Sequence, residues 1–221
     1  MKRIEVLDFW RFLAVLFMAL FHFFYDQMIF GALPRGAVFT APYQVLRYCA
    51  VVSFVLISGM VARYSRSNIK RGFIVFCVGV AVGIVTSFFD QPILFGILHF
   101  FGCAMIIYGL VREKINKIKS PVFPVITMAL FALTFNIPKT VLVPVRFLFP
   151  LGFMYPGFYS SDYYPLMPWI FLFFTGVWLG GVIERHREKK IFNIHLPGAL
   201  TFIGRHSLEF YVLHQPVLYG L

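Results

Sequence analysis

Charge is what this chain has least of. Only 13% of its 221 residues are charged, against 60% hydrophobic and 19% aromatic. Soluble domains are roughly a quarter charged and about half apolar. A water-soluble fold of this size would leave much apolar surface wet, whereas a lipid bilayer can cover it. Cysteine is scarce too: Cys49, Cys77 and Cys103 all lie inside apolar runs, unpaired at metal-ligand spacing. No disulfide framework is implied, and three small buried hydrophobes are the plain reading. There is no HExxH pattern, no P-loop and no dinucleotide glycine fingerprint, and no metal site is expected. The net charge of +11 could suggest nucleic acid, but the lysines and arginines cluster between long apolar runs. Such an arrangement reads as membrane topology, so no nucleic-acid partner is expected. Lys2 and Arg3 open the chain as in a signal peptide. Asp8 and Arg11 interrupt the apolar run that follows, however, and no convincing cleavage site is visible, so this segment is expected to be a mature helix.

What is present is a series of apolar stretches long enough to cross a bilayer, which takes about 20 residues each. Seven are expected, at 7–30, 43–63, 71–89, 93–111, 121–137, 164–184 and 197–219. The fold class is therefore all-α, a polytopic transmembrane bundle forming a single domain over 1–221. A tight turn is expected at Asp90-Gln91-Pro92 between the third and fourth spans. Pro121 and Pro124 crowd the start of the fifth, and Asn136-Ile137-Pro138 ends it. Residues 139–160 are apolar but interrupted by Pro144, Pro150 and Pro156, and read as a surface or re-entrant loop, with a partial eighth span as the alternative. Fourteen lysines and arginines fall before the first span and in the loops after the second, fourth and sixth; the opposite loops hold only Arg35, Lys139 and Arg146. The positive-inside rule then puts the N-terminus in the cytoplasm and the C-terminus outside. Gly79 with Gly83, and Gly176 with Gly180, are spaced for close helix contact.

Ionisable groups inside spans are costly and normally face a bundle interior or a wet chamber. The first span carries Asp8, Arg11, His22 and Asp26. Arg11 and His22 differ by about 20° after three turns, and His22 lies roughly 16 Å further along. Asp8 pairs with Arg11 at i, i+3 and His22 with Asp26 at i, i+4, so all four share one stripe. Arg47, His99, His214 and Gln215 sit at outer depth in other spans, and Asp90 and Asp162 at outer ends. An outer group of His22, Asp26, Arg47, His99 and His214 is expected to line a cavity, with an inner group of Asp8, Arg11, Arg205, His206 and Glu209. In the functional reading His22 is a general base whose imidazole Asp26 holds, with His99 and His214 as further catalytic groups. In the plainer reading these residues make interhelical hydrogen bonds. His186 and His195 lie in a basic loop and are expected to be exposed. The aromatic stretches 153–159 and 163–169 read as an interfacial belt, with a lid or acceptor platform as the alternative.

Particular runs of residues add a resemblance. Leu7-Asp8-Phe9-Trp10-Arg11-Phe12-Leu13-Ala14, followed by His22 after ten residues, resembles the first span of bacterial membrane acyltransferases. Phe54-Val55-Leu56-Ile57-Ser58-Gly59, Phe95-Gly96-Ile97-Leu98-His99-Phe100, Tyr164-Pro165-Leu166-Met167-Pro168-Trp169, Gly204-Arg205-His206-Ser207-Leu208 and Leu213-His214-Gln215-Pro216 narrow it. In this order they are similar to the bacterial family related to the catalytic domain of heparan-α-glucosaminide N-acetyltransferase, over nearly the whole chain. The chain departs from that pattern at Phe12, where the family has glycine, and in lacking a histidine between Gly31 and Pro42. The resemblance implies a multi-pass protein of the bacterial cytoplasmic membrane. It would move an acetyl or other short acyl group from cytosolic acyl-CoA to a sugar amine or hydroxyl outside. Arg11 would position the donor, with Asp8 and Arg205 beside it, and His22 would deprotonate the acceptor. Arg47, Asp162 and Gln215 are the expected acceptor-binding residues. The expected partners are the bilayer and a small-molecule or glycan acceptor, and self-association is left open. The rivals are a transporter or flippase using the same polar stripe and an accessory subunit without chemistry.

Overall fold

A computed structural model describes residues 4–189, 192 and 194–220. Lys2, Arg3 and Lys190, three of the clustered cations counted above, lie outside the described residues. The described residues are helical, with nine α-helices and no strand: α1 Glu5–Ile29, α2 Ala41–Ala62, α3 Asn68–Ser87, α4 Ile97–Lys117, α5 Val122–Thr134, α6 Ile137–Thr140, α7 Leu166–Arg185, α8 Gly198–Arg205 and α9 Ser207–Tyr219. In a medium without water every backbone N–H and C=O must be satisfied within the chain, and helices do this locally.

Five segments are long and apolar enough to cross a membrane: α1, α2, α3, α5 with α6 (Val122–Thr140), and α7. They match five of the seven expected spans and make this a multi-pass membrane protein. The other two take different forms. α4 starts at Ile97 and runs on to Lys117, carrying Arg112, Glu113, Lys114 and Lys117 in its last turns. The stretch 197–219 is two helices, because the backbone leaves helical geometry at His206 (φ −103°, ψ 30°). The turn at Asp90-Gln91-Pro92 is present, with Asp90 left-handed at φ 57°. Residues 141–165 contain no α-helix and one short 3-10 turn, Arg146–Leu151. That is the loop form expected there, with no eighth span.

The chain forms two compact units. One comprises residues 1–57 and 185–221, the other 58–184, so the boundary falls within α2. In the first unit α1 packs against α8 and α9. The closest approach is at Gly204, where any Cβ would collide with the Asp8 carbonyl oxygen; only glycine lets α8 lie this near α1. Ahead of α8, Glu5 accepts the Leu196 N–H at 2.8 Å and meets His195 at 3.3 Å.

In the second unit α3 packs along α4. Gly79 permits it: a Cβ there would sit 3.1 Å from the His99 nitrogen. Gly180 likewise admits the Met60 backbone, 2.6 Å from where its Cβ would be. The two expected small-residue sites are therefore real points of helix contact. α4 is the enclosed element, with Phe100, Ala104 and Tyr108 without solvent exposure. Thr127 of α5 and Thr175 of α7 share a buried hydrogen bond at 2.7 Å. At the charged end of α4, Arg63 bonds Glu184 and Asn116 at 2.8 and 2.9 Å, Tyr108 donates to the same Asn116 oxygen, and Arg112 donates to the Ser65 and Arg63 carbonyls. These arginines are more than topology signals: they tie α4 to the ends of α2 and α7.

Candidate functional site

The polar stripe of α1 meets α8 at one end and α9 toward the other, all within the first unit. At the N-terminal end Asp8, 3% exposed, meets Arg11 at 3.3 Å and Arg205 at 3.7 Å. One buried carboxylate thus holds two guanidinium groups. The expected inner trio assembles, with the Glu5 carboxylate within electrostatic range of Arg205. His206 does not extend it: its Nδ1 bonds the Phe202 carbonyl at 3.0 Å and its ring lies 4.3 Å from Phe202.

About three turns further along α1, His22 and His214 lie edge to face, ring centroids 4.7 Å apart at 67°. Their tautomers follow from their partners. His22 Nδ1 bonds the Met18 carbonyl at 3.0 Å, and His214 Nδ1 bonds the Tyr211 carbonyl. A carbonyl oxygen only accepts, so each Nδ1 carries the proton and each neutral ring keeps its lone pair on Nε2. Both helices thereby hold an imidazole with its basic nitrogen turned away from its own backbone. Tyr211 packs beside His214 at 5.6 Å, and Phe21 caps the His22 edge at 5.6 Å. Arg47 lies within electrostatic range of His22. It also accepts support from Gln44, whose Oε1 takes its N–H at 3.4 Å.

The expected His22–Asp26 pairing is replaced. The Met18 carbonyl orients His22, and Asp26, only 2% exposed, has no hydrogen-bond partner on either oxygen among the described residues. Gln215 is its neighbour, and the Gln215 amide N–H approaches the Asp26 carboxylate without closing a short hydrogen bond. His214 Nε2 and Gln215 Oε1 are likewise buried and without partners. Leaving such an atom unsatisfied costs about 1–3 kcal/mol, more when it is charged. The α1–α9 seam therefore carries two pairs, His22 with His214 and Asp26 with Gln215, one turn apart.

The second unit holds the remaining expected residues in other work. Asp162 Oδ2 accepts the Ile97 N–H at 3.0 Å, capping α4. His99 Nδ1 accepts the Gly96 N–H at 3.2 Å. In this ring the proton must sit on Nε2, the reverse of His22. The imidazole is 5% exposed, stacked on Phe95 at 5.6 Å and edge-on to Phe76 at 5.3 Å. Around it the loop is knitted by Leu94 N–H to Ser160, Ser161 to Gln91, and Tyr164 N–H to the Phe95 carbonyl. The expected interfacial aromatics fold onto one another: Phe158 touches Phe149, Tyr155 and Tyr163 at 5.5, 5.3 and 4.8 Å. The Tyr163 hydroxyl donates to the Phe149 carbonyl at 2.6 Å, and burial pushes its phenol above the ordinary value. His195 is exposed, as expected of the basic loop.

Sequence reasoning missed the Met18 and Tyr211 carbonyls and the Arg63–Asn116–Tyr108 network. The first two carried a signal, since a helical side chain reaches the carbonyls three and four residues back. The network carried none: Arg63 and Glu184 are 121 positions apart.

Comparison with curated proteins and with solved structures gives no match. The family model described as heparan-alpha-glucosaminide N-acetyltransferase, catalytic, matches residues 3–216. That range takes in the Arg11–His22 stripe, the His99 cap and the His214-Gln215 pair. The chain belongs to the heparan-α-glucosaminide N-acetyltransferase catalytic family, membrane proteins of acyltransferase type.

Proposed function

We propose that this protein transfers an acetyl or other short acyl group from cytosolic acyl-CoA to a sugar amine or hydroxyl on the outer face of a bacterial cytoplasmic membrane. Residues 1–221 form one acyltransferase domain in this reading. The chain crosses seven times, with α4 and the α8–α9 pair as the two charged or broken crossings, the N-terminus inside and the C-terminus outside. The observation that carries the reading is the His22–His214 pair, two buried imidazoles whose Nδ1–H groups are anchored to their own helices and whose Nε2 lone pairs are left for chemistry.

His22 is the base. As the acceptor nitrogen or oxygen bonds to the thioester carbonyl carbon, Nε2 takes the acceptor proton. The carbon–sulfur bond then breaks and the thiolate recovers that proton from the imidazolium, so no net proton is gained or lost. Met18 cannot take the proton, because a peptide carbonyl is a far weaker base, so it enters and leaves by Nε2. His214, edge-on at 4.7 Å, fixes the His22 ring plane and is the second group able to share the charge. Arg11 and Arg205, roughly 16 Å back along α1, give the donor's phosphates an inner cationic end, with Asp8 holding their geometry. Arg47 lies on the acceptor side. His99 and Asp162 are assigned to holding α4 and its loop.

The test is transfer from labelled acetyl-CoA by purified protein in the presence of varied amino sugars and polyols. Transfer that is lost in His22→Ala with unchanged thermal unfolding supports the reading. Failure both to bind and to turn over the donor ends it, and proton-coupled sugar uptake in proteoliposomes without CoA would put a transporter in its place.

A further inference from the structure

Among the described residues, the buried atoms left without a close hydrogen-bond partner on the α1–α9 seam are of one chemical kind. Asp26 contributes two carboxylate oxygens, Gln215 its Oε1, and His214 an Nε2 that must be a lone pair because Nδ1 donates to Tyr211. All four are acceptors. The neighbouring groups supply these acceptors only in part: a Gln215 amide N–H approaches Asp26, the His22 N–H is used by the Met18 carbonyl, and Arg47 gives an N–H to Gln44. Two other carboxylates are matched by donors of the chain: buried Asp8 has two arginines, and part-buried Asp162 has the α4 N-terminus. Asp26 contrasts with both, on the same helix as the proposed base and one turn from it.

We infer that Asp26, Gln215 and His214 form a recognition site for a hydrogen-bond-donating group of the acceptor, an ammonium or a hydroxyl. Asp26 is then a substrate-binding residue and has no part in orienting His22. This rests on the acyltransferase reading for the word acceptor, but not for the site itself. A cluster of acceptors takes N–H and O–H groups and repels carboxylate, sulfate and phosphate, so the ligand is neutral or cationic at this point. A donor arriving here bonds to acceptors that the chain's own groups leave available. The same arrangement has a consequence for the fold: burying a carboxylate with so few donors of the chain beside it costs stability.

The experiment uses the full chain in detergent and three matched sugars: glucosamine, glucose and glucuronate. Saturation-transfer NMR reads binding, and thermal unfolding reads stability. Glucosamine and glucose are expected to bind saturably and glucuronate not at all. Asp26→Asn and Gln215→Leu each weaken binding by about tenfold or more, while Asp26→Asn raises the unfolding temperature of the free protein. A larger loss for glucosamine than for glucose assigns the amine to Asp26; an equal loss assigns a hydroxyl. In turnover, the effect of Asp26→Asn falls on KM for the sugar, and the pH profile of kcat keeps its histidine limb.

Unchanged binding in both variants, or binding of glucuronate, overturns the inference. So does a fall in unfolding temperature for Asp26→Asn, which would make Asp26 a structural residue. No binding of any sugar by the wild-type protein means the seam holds only water, and also overturns it. If sugar binding depends on Asp26 while acetyl transfer never occurs, the acyltransferase reading falls and the recognition site stands.

Discussion

His22 and His99 are imidazoles in apolar helices, and the two units of the molecule hold them by the same nitrogen in opposite senses. In the first unit Nδ1 of His22 donates to the Met18 carbonyl, leaving a lone pair on Nε2. In the second, Nδ1 of His99 accepts from the Gly96 N–H, so its lone pair is used by the fold. The carboxylates divide the same way. Asp162 satisfies the first turn of α4, whereas Asp26 caps no helix and faces the Gln215 side chain. A buried histidine is thus a structural or a chemical group according to whether its basic nitrogen is occupied by the backbone. Depth in the membrane does not tell the two apart.

The contrast breaks or sharpens on single substitutions. The largest effect expected is on His22→Ala, which removes the proposed base and lowers acetyl transfer by about 10²–10⁴-fold, read by labelled acetyl-CoA, with thermal unfolding close to wild type. His99→Ala should do the reverse. It removes the acceptor for Gly96 and opens a hole among Phe95 and Phe76, costing about 2–4 kcal/mol. Thermal unfolding detects this, while kcat per folded molecule stays within a few-fold. If His99→Ala abolishes transfer and leaves stability untouched, the division between the units is wrong. Asp162→Asn weakens the α4 cap by about 1 kcal/mol, measurable in the same unfolding series, and leaves the KM for sugar unchanged. The smallest effect is expected for Arg205→Gln. Its pair with Asp8 is part-exposed, with the Arg205 side chain 41% accessible, so about 0.5 kcal/mol of stability is at stake. A rise in KM for acetyl-CoA, with the KM for sugar unaffected, would place the donor at that end of α1.

Much of this was legible in the residues. The apolar runs gave five spans within a few residues of their observed ends, and helical periodicity put Asp8, Arg11, His22 and Asp26 on one stripe. The other two expected spans take a different helical form for local reasons. α4 runs past its apolar stretch, where Arg112 donates to the Ser65 and Arg63 carbonyls and Asn116 accepts from Arg63. The last span breaks at His206, beside Gly204, which seats α8 on the Asp8 carbonyl. At the candidate site, depth grouped His22 and His214 with Asp26, Arg47 and His99; His22 and His214 meet edge to face, while His99 takes the Gly96 N–H at the start of α4. The assumed His22–Asp26 pair failed because an i, i+4 spacing brings side chains near each other without deciding which acceptor the ring will take, and the backbone carbonyl four residues back was closer to hand.

The sequence alone determined that this chain lives in a membrane, which helix carries its ionisable stripe, and which family its ordered motifs belong to. Those follow from apolar length, from the 3.6-residue repeat and from local residue order, all of which are one-dimensional. Only the tertiary structure decided which nitrogen of each histidine is basic, that Asp8 holds two arginines, and that Asp26 and Gln215 are left wanting donors. A hydrogen bond depends on where the partner lies in space, and residues such as Asp26 and Gln215 that face each other from opposite ends of the chain leave no mark on the sequence between them.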